Sequence, residues 1–405
     1  MPETSYLYVG LDTHKRSTRS AVLIEAPSST HADLGPGSYD ERTLPWQPDR
    51  VATHLLKLQE KYGRPVHACY EAGNIGYGLC RAIQSAGLKC EVVAPSRTPR
   101  EGSDRKKTDA RDARKLARYL ASGHLVTVYV PTEEEEADRA LVRTRSWTLV
   151  HLQRSKILVD ALLTQHSRLY EKTADWKTGH WKWLMSQRFA QTTLQQAYDH
   201  LLETVTLNAQ QLTQVETSIE ELAATQRHRQ AVLNQKAFLG IQTTAAMVLN
   251  TELPAIERFD KASDATAFVG LTPSESSSGD TVRRGRITKQ GNARIRKVLI
   301  QAAWNYMRAP RVSADLKRRR DQVPPWVAQC ATRAAHRLHK KFHRVAACHP
   351  RQVAVVAVAR ELLGFLWCVR HPDGEAMHNK RCRRTTTRPT FMGKTKKQSD
   401  LAQQI

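Results

Sequence analysis

The chain has 405 residues, with 63 Lys and Arg against 39 Asp and Glu, a formal net charge of +24. That length allows two or three domains with real cores, and the charge points to a polyanionic partner, nucleic acid first and acidic lipid second. No apolar run reaches membrane-spanning length and no signal-peptide pattern opens the chain. The seven cysteines form no CxxC pair, so reduced thiols, a cytoplasmic setting and no zinc site are expected.

The first predicted element is a buried strand, Tyr6-Leu7-Tyr8-Val9-Gly10-Leu11, that ends in Asp12. A second strand over 17–25 follows with no helix between, which is hairpin order rather than the start of a Rossmann unit. A third strand over 66–71 ends in Glu71 and is broken by Ala72-Gly73-Asn74. Then come a helix over about 77–86, a strand over 89–94, a basic loop, and a helix carrying Asp109, Asp112 and Leu116 through Leu120. Asp109 and Asp112, three apart, share one helix face. They stand among Lys106, Lys107, Arg111, Arg114, Lys115 and Arg118.

Two readings of that acid pair stay open: a site holding divalent metal against nucleic-acid phosphate, or a solvated face of intrahelical ion pairs. Asp12 and Glu71 are charges at strand ends, where burial needs a cation or donors, or else capping and turn residues. Acids at two strand ends and on a following helix converge at one end of a central sheet. The element order resembles the ribonuclease-H-like fold.

The middle of the chain is expected to be helical. Residues 133–170 carry Leu141, Leu149, Leu152, Ile157, Val159, Leu162 and Leu163 as an apolar stripe, and Trp176, Trp181 and Trp183 fall in a polar connector. From Leu194, apolar residues recur at alternating threes and fours through Ala197, Leu201, Val205, Leu212, Val215, Ile219 and Leu222, with Asn208 at a core position. This seam predicts either a helical hairpin used in self-association or an amphipathic helix packed on its own protomer.

Further on, the stretch 237–249 reads as helix, tight turn at Gly240 and helix. That is either an ordinary αα-hairpin or a helix-hairpin-helix whose turn amides hold phosphate; Gln242 stands where a second glycine is usual. A serine-rich loop, Ser274 to Ser278 before Gly279, leads into Arg283, Arg284, Arg286, Lys289, Arg294, Arg296 and Lys297, the expected nucleic-acid-binding residues. From 281 to 320 basic residues face a single acid, Asp315. His336, His339 and His343 lack a carboxylate or cysteine at ligand spacing and read as basic surface. The apolar run 353–367 reads as a packed helix, and the residues from 371 on as a disordered basic tail.

Asp12, Glu71 and Asp109-x-x-Asp112, the Gly240-Ile241 turn, and Gly270-Leu271-x-Pro273-x4-Ser278-Gly279 followed by Ile287-Thr288-Lys289-x-Gly291-Asn292 together resemble the DEDD transposases of the insertion-sequence one-ten family, the bridge-RNA-guided recombinases. The resemblance covers about 5–165 and 232–310. It implies an α/β RuvC-like metal domain (1–130), a helical coiled-coil connector (131–231) and a mostly helical transposase domain (232–370); residues from about 310 on exceed what the family implies and have no assigned role, and 371–405 is the basic tail read above from its composition. The resemblance further implies Mg2+ held by Asp12, Glu71, Asp109 and Asp112, with Ser278 as the nucleophile that forms a covalent phosphoserine. Donor and target DNA, a noncoding bridge RNA, a homo-oligomer (dimer or tetramer), no membrane, and a bacterial, nucleoid-associated protein are implied too. The residues alone also fit a RuvC-like Holliday-junction nuclease using water, or a non-catalytic nucleic-acid-binding protein.

Overall fold

The computed structural model describes residues 6–24, 39–99, 109–278 and 281–379, with the side chains of 276–278 and 281–284 excluded. Lys106, Lys107, Gly279 and the basic stretch from 380 on therefore lie outside the described residues. Internal contacts divide the chain into two units, 1–132 and 133–405.

The first unit is a five-stranded sheet with helices on both faces. Its strands are β1 (Leu7–Thr13), β2 (Ser17–Leu23), β3 (Tyr39–Pro45), β4 (Val66–Glu71) and β5 (Lys89–Val93), in the order β3-β2-β1-β4-β5. β1, β2 and β3 run antiparallel as a meander; β4 and β5 run parallel to β1. This order is consistent with a RuvC-like domain. Sequence patterning missed β3, an edge strand, Tyr-Asp-Glu-Arg-Thr-Leu-Pro, whose polar residues carry no apolar run.

Strand alternation sorts the side chains. Leu7, Val9, Leu11, Ala68 and Tyr70 pack beneath α1 (Pro48–Tyr62) and α2 (Gly78–Ser85). Tyr8 and Cys69 face the other way, with Leu116 and Leu120 of α3 (Asp109–Ala121). Gly10 lies on this second face, where a Cβ would come within 2.0 Å of the Ala113 carbonyl oxygen. That close approach lets α3 lie directly on β1.

The second unit is helical. α4 (Glu133–Gln165) and α6 (Thr192–Ala224), each 33 residues and about 50 Å long, run antiparallel, joined through α5 (Thr178–Ser186). Leu152, Val159 and Leu163 of α4 meet Leu184 of α5 and Tyr198, Leu202 and Val205 of α6. The partner of the α6 seam is thus α4 of the same chain, and Asn208 donates to Ser155 Oγ at 3.3 Å across it. Two expectations are corrected here. Ile157 is 65% exposed rather than part of the stripe, and the tryptophan connector is partly a helix, with Trp181 and Trp183 packed against this core.

The far ends of the pair, Val142, Ile219 and Ala223, enter a larger core. It is built by α7 (Gln226–Lys236), α8 (Thr243–Glu252), α9 (Ala262–Val269), α10 (Ala293–Ala303), α12 (Pro325–Ala346) and α13 (Arg351–Arg370), while α11 (Ala314–Asp321) packs on α7 and α12. β6 (Pro273–Ser278) and β7 (Thr281–Ile287) form a separate hairpin. Contrary to the sequence expectation, α13 is long and apolar enough to cross a membrane, with mean hydropathy 1.7. Leu362, Leu363, Leu366 and Trp367 are nonetheless buried within the unit, which is the packing of a core helix. Within 371–379, read from sequence as the start of a disordered tail, Gly374 and His378 are buried, and His378 lies 3.0 Å from Arg333.

Candidate functional site

Asp12 and Glu71 occupy the C-terminal ends of two neighbouring parallel strands. Leu11 pairs with Tyr70, so the next residue on each strand is an acid on the α3 face. α3 starts with Asp109 and carries Asp112 one turn on, where the positive end of the helix dipole favours anions. Asp12, Asp109 and His14 bring their ligand atoms within 4.8 Å of one another. His14 Nε2 lies 3.2 Å from Asp12 and 3.4 Å from Asp109. Burial above all, helped by the charges of Asp109 and Asp112, pushes the Asp12 carboxyl above its ordinary value, although His14 pulls the other way. A half-buried carboxylate with two others beside it suits a hard, oxygen-seeking dication. Glu71 stands apart from that group of three and accepts a hydrogen bond from Thr98 Oγ1 at 3.0 Å.

Two residues here went unread in the sequence. His14 follows Asp12 by two, a spacing that leaves both at the strand exit. Glu41 of β3 takes Arg19 at 2.7 Å and also Arg114 of α3. The Arg114 hydrogen bond, with Arg19 adding to it, holds the Glu41 carboxyl below its ordinary range. The pairing of Glu41 with Arg114 ties the acid-bearing helix to the sheet edge.

In the second unit, the serine-rich segment is a strand rather than a loop. β6 pairs with β7 from Pro273↔Ile287 at the base to Ser278↔Thr281 at the turn end. Ser278 therefore stands at the tip of a hairpin. Its base is closed by two glycines. Gly270 (φ +73) and Gly291 (φ +90) lie where a Cβ would fall 1.9 Å from the Gln290 and Phe268 carbonyl oxygens respectively. The Lys289 amide donates to Gly270 and the Thr288 amide to Thr272. These close approaches account for both glycines physically. Gly240 (φ +77) is likewise pressed against α10, where a Cβ would fall 2.8 Å from the Ala302 carbonyl oxygen.

The basic residues around the hairpin differ in their roles. Arg286, Lys289 and Lys297 are exposed. Arg296 instead donates to the Val269 and Gly291 carbonyls at the hairpin base, and Arg294 lies 3.4 Å from Glu252. Arg283 and Arg284 lie on β7, their side chains outside the described part of the chain. Glu252, a lone acid at the end of an apolar helix, was another unread residue; it is 2% exposed and holds Arg143 and Asn292.

An α/β domain with acids at its strand ends, preceding a helical unit, is the layout of a DEDD-type transposase. A family model for such transposases, described as "Transposase", matches residues 9–167, and a second, "Transposase IS116/IS110/IS902 family", matches 236–318. The "Putative transposase y4qE" of Sinorhizobium fredii (strain NBRC 101917 / NGR234) is 37% identical over 305 residues, 75% of each chain. The "Transposase for insertion sequence element IS1533" of Leptospira borgpetersenii is 29% identical over 342 residues, 84% of this chain and 96% of that one. The chain belongs to the IS116/IS110/IS902 family of transposases.

Proposed function

We propose that the protein is an RNA-guided DNA recombinase that cuts and rejoins strands through a covalent phosphoserine on Ser278. The observation that carries the nucleic-acid chemistry is the meeting of Asp12 with Asp109 at the end of β1, with Asp112 one helical turn away. Asp12, Asp109 and Asp112, with Glu71 on the adjoining strand, would hold Mg2+, which supplies charge neutralisation at a scissile phosphate. Glu41 and Arg114 hold α3, and so its two acids, against the sheet.

Ser278 Oγ attacks the phosphorus, gives up its proton, and forms a serine phosphoester while one DNA end leaves with a free hydroxyl. The hydroxyl of an exchanged strand then attacks that ester, re-forms a phosphodiester and returns the serine hydroxyl, with no net hydrolysis. Arg286, Lys289 and Lys297, exposed beside the hairpin, suit contact with the DNA backbone. Guidance by a noncoding bridge RNA, a homo-oligomeric state and nucleoid association follow from the family reading. So does the division into a metal domain (1–130), a helical arm (131–231) and a transposase domain (232–370).

The test incubates the protein with its element's noncoding RNA, both DNA sites and Mg2+, and reads a denaturing gel. A covalent protein–DNA adduct is expected, lost in Ser278→Ala and kept in Ala variants of Ser274, Ser276 and Ser277. Cleavage by Ser278→Ala with free ends on both sides would make water the nucleophile, and the junction-nuclease reading would replace this one.

A further inference from the structure

We propose that the cleft between α12 and α13 is a separate nucleic-acid site that holds the phosphate backbone of a duplex. α12 buries Val327, Cys330, Ala334, Leu338 and Phe342 along one face. Its other face carries Arg333, His336, Arg337, Lys340, Lys341 and Arg344 at spacings of three, one, three, one and three. That is one stripe, with a basic group at each turn over about 16 Å. It opens onto a cleft of about 880 Å³, with Arg360 and Glu361 of α13 on the opposite bank and Ser263 and Thr266 of α9 closing the end. A smaller cleft of about 470 Å³ continues along the same stripe.

Glu361 is the one carboxylate among the described residues that line it, against five Lys and Arg from α12 and Arg360. It pairs with Arg337 and lies 3.6 Å from Lys341 Nζ, which orients those two groups rather than cancelling the stripe. Lys340, Arg344 and Arg360 are exposed. Charge repeated once per helical turn along a channel fits a linear polyanion, whereas a single headgroup or free phosphate needs one convergent pocket. The two helices that form the banks of the cleft, α12 and α13, lie beyond residue 318, where the match to the transposase model ends, whereas α9 falls within it. The proposal rests on the nucleic-acid reading of the chain but not on its cleavage chemistry.

The test measures fluorescence anisotropy of a labelled DNA duplex and a labelled RNA duplex of one unrelated sequence, titrated with the full chain across a salt series. Lys340→Ala/Arg344→Ala/Arg360→Ala should weaken binding at least about 10-fold near 0.1 M salt and lower the log–log salt slope by about 2–3. Glu361→Gln, which removes the opposing charge, should tighten binding. It also reads the same site if the triple variant fails to fold. An effect on DNA alone assigns the cleft to a DNA duplex, on RNA alone to an RNA helix, and on both to their shared backbone. Unchanged affinity and slope on both duplexes in either folded variant overturn the proposal. Ser278→Ala run in parallel should keep the wild-type slope, so failure of the phosphoserine chemistry and failure of the cleft are read separately.

Discussion

Arg143 of α4 and Glu252 of α8 form a two-pronged ion pair, Nε to Oε1 at 2.7 Å and Nη2 to Oε2 at 2.9 Å. Asn292 donates to the same carboxylate at 2.7 Å, while its own Oδ1 caps α10 through the Arg294 and Ile295 amides. One buried acid thus joins the long arm, the αα-hairpin and the helix that leaves the serine hairpin. Burial pushes Glu252 upward, but the Arg143 and Asn292 hydrogen bonds and the charges of Arg143 and Arg139 outweigh it and hold the carboxyl below its ordinary value.

Glu252→Ala is expected to destabilise the protein by about 2–4 kcal/mol at neutral pH, because Arg143 and Asn292 lose their acceptor. The folded-state pKa is depressed, so the contribution is complete above the unfolded value and is lost as pH falls through the folded one. The gap in urea midpoint between wild type and variant should therefore shrink below about pH 4. A gap independent of pH would mean that the carboxylate's charge contributes nothing.

Asp12→Ala, Glu71→Ala, Asp109→Ala and Asp112→Ala should each abolish strand cleavage and leave the fold intact. Asp12 is raised by burial and its acidic neighbours, so its removal relieves strain in the metal-free protein while it removes a ligand. The thermal midpoint without Mg2+ should hold or rise, and the stabilisation on adding Mg2+ should vanish. Full recombination by any variant removes that acid from the site.

Glu41→Ala should slow cleavage and keep DNA affinity, since it frees Arg114 and α3 without touching a ligand. Glu41→Gln, which keeps an acceptor for Arg114, should recover part of the rate. Equal rates in wild type and Glu41→Ala would show that α3 needs no such anchor.

Gly270→Ala and Gly291→Ala should each cost more than about 2 kcal/mol, the sum of a left-handed backbone penalty and a Cβ pressed on a carbonyl. Chemical denaturation reads the loss. Midpoints within experimental scatter of wild type would show that the hairpin base can open without cost.

Ile219→Ala should cost about 2–4 kcal/mol independently of protein concentration, because Ile219 is buried in a core of its own chain. A midpoint that moved with concentration would return the α6 seam to an interface between copies.

Strand alternation and the three-residue spacing of Asp109 and Asp112 are properties of short segments, so β1, β4, α3 and most of the α6 seam were legible in the residues alone; Ala197, expected in that seam, is exposed, and Tyr198 and Leu202, not expected there, are buried. Motif order carried the family, since the acid set and the glycine–serine segments fall in sequence in two separate regions. What touches what was settled by packing. The seam's period is the same whether its partner is α4 or a second copy, and Ile157 fits an apolar pattern that packing leaves in solvent. The serine segment has no apolar alternation, so its pairing with β7 became visible only through the ladder and the two glycines at its base. His14, Glu41 and Glu252 act through residues far along the chain or across a strand exit, and no local pattern marks such partners. Gly10 shows the same division: its place in a strand is legible from the sequence, but its need to be glycine comes from a helix a hundred residues later lying against it.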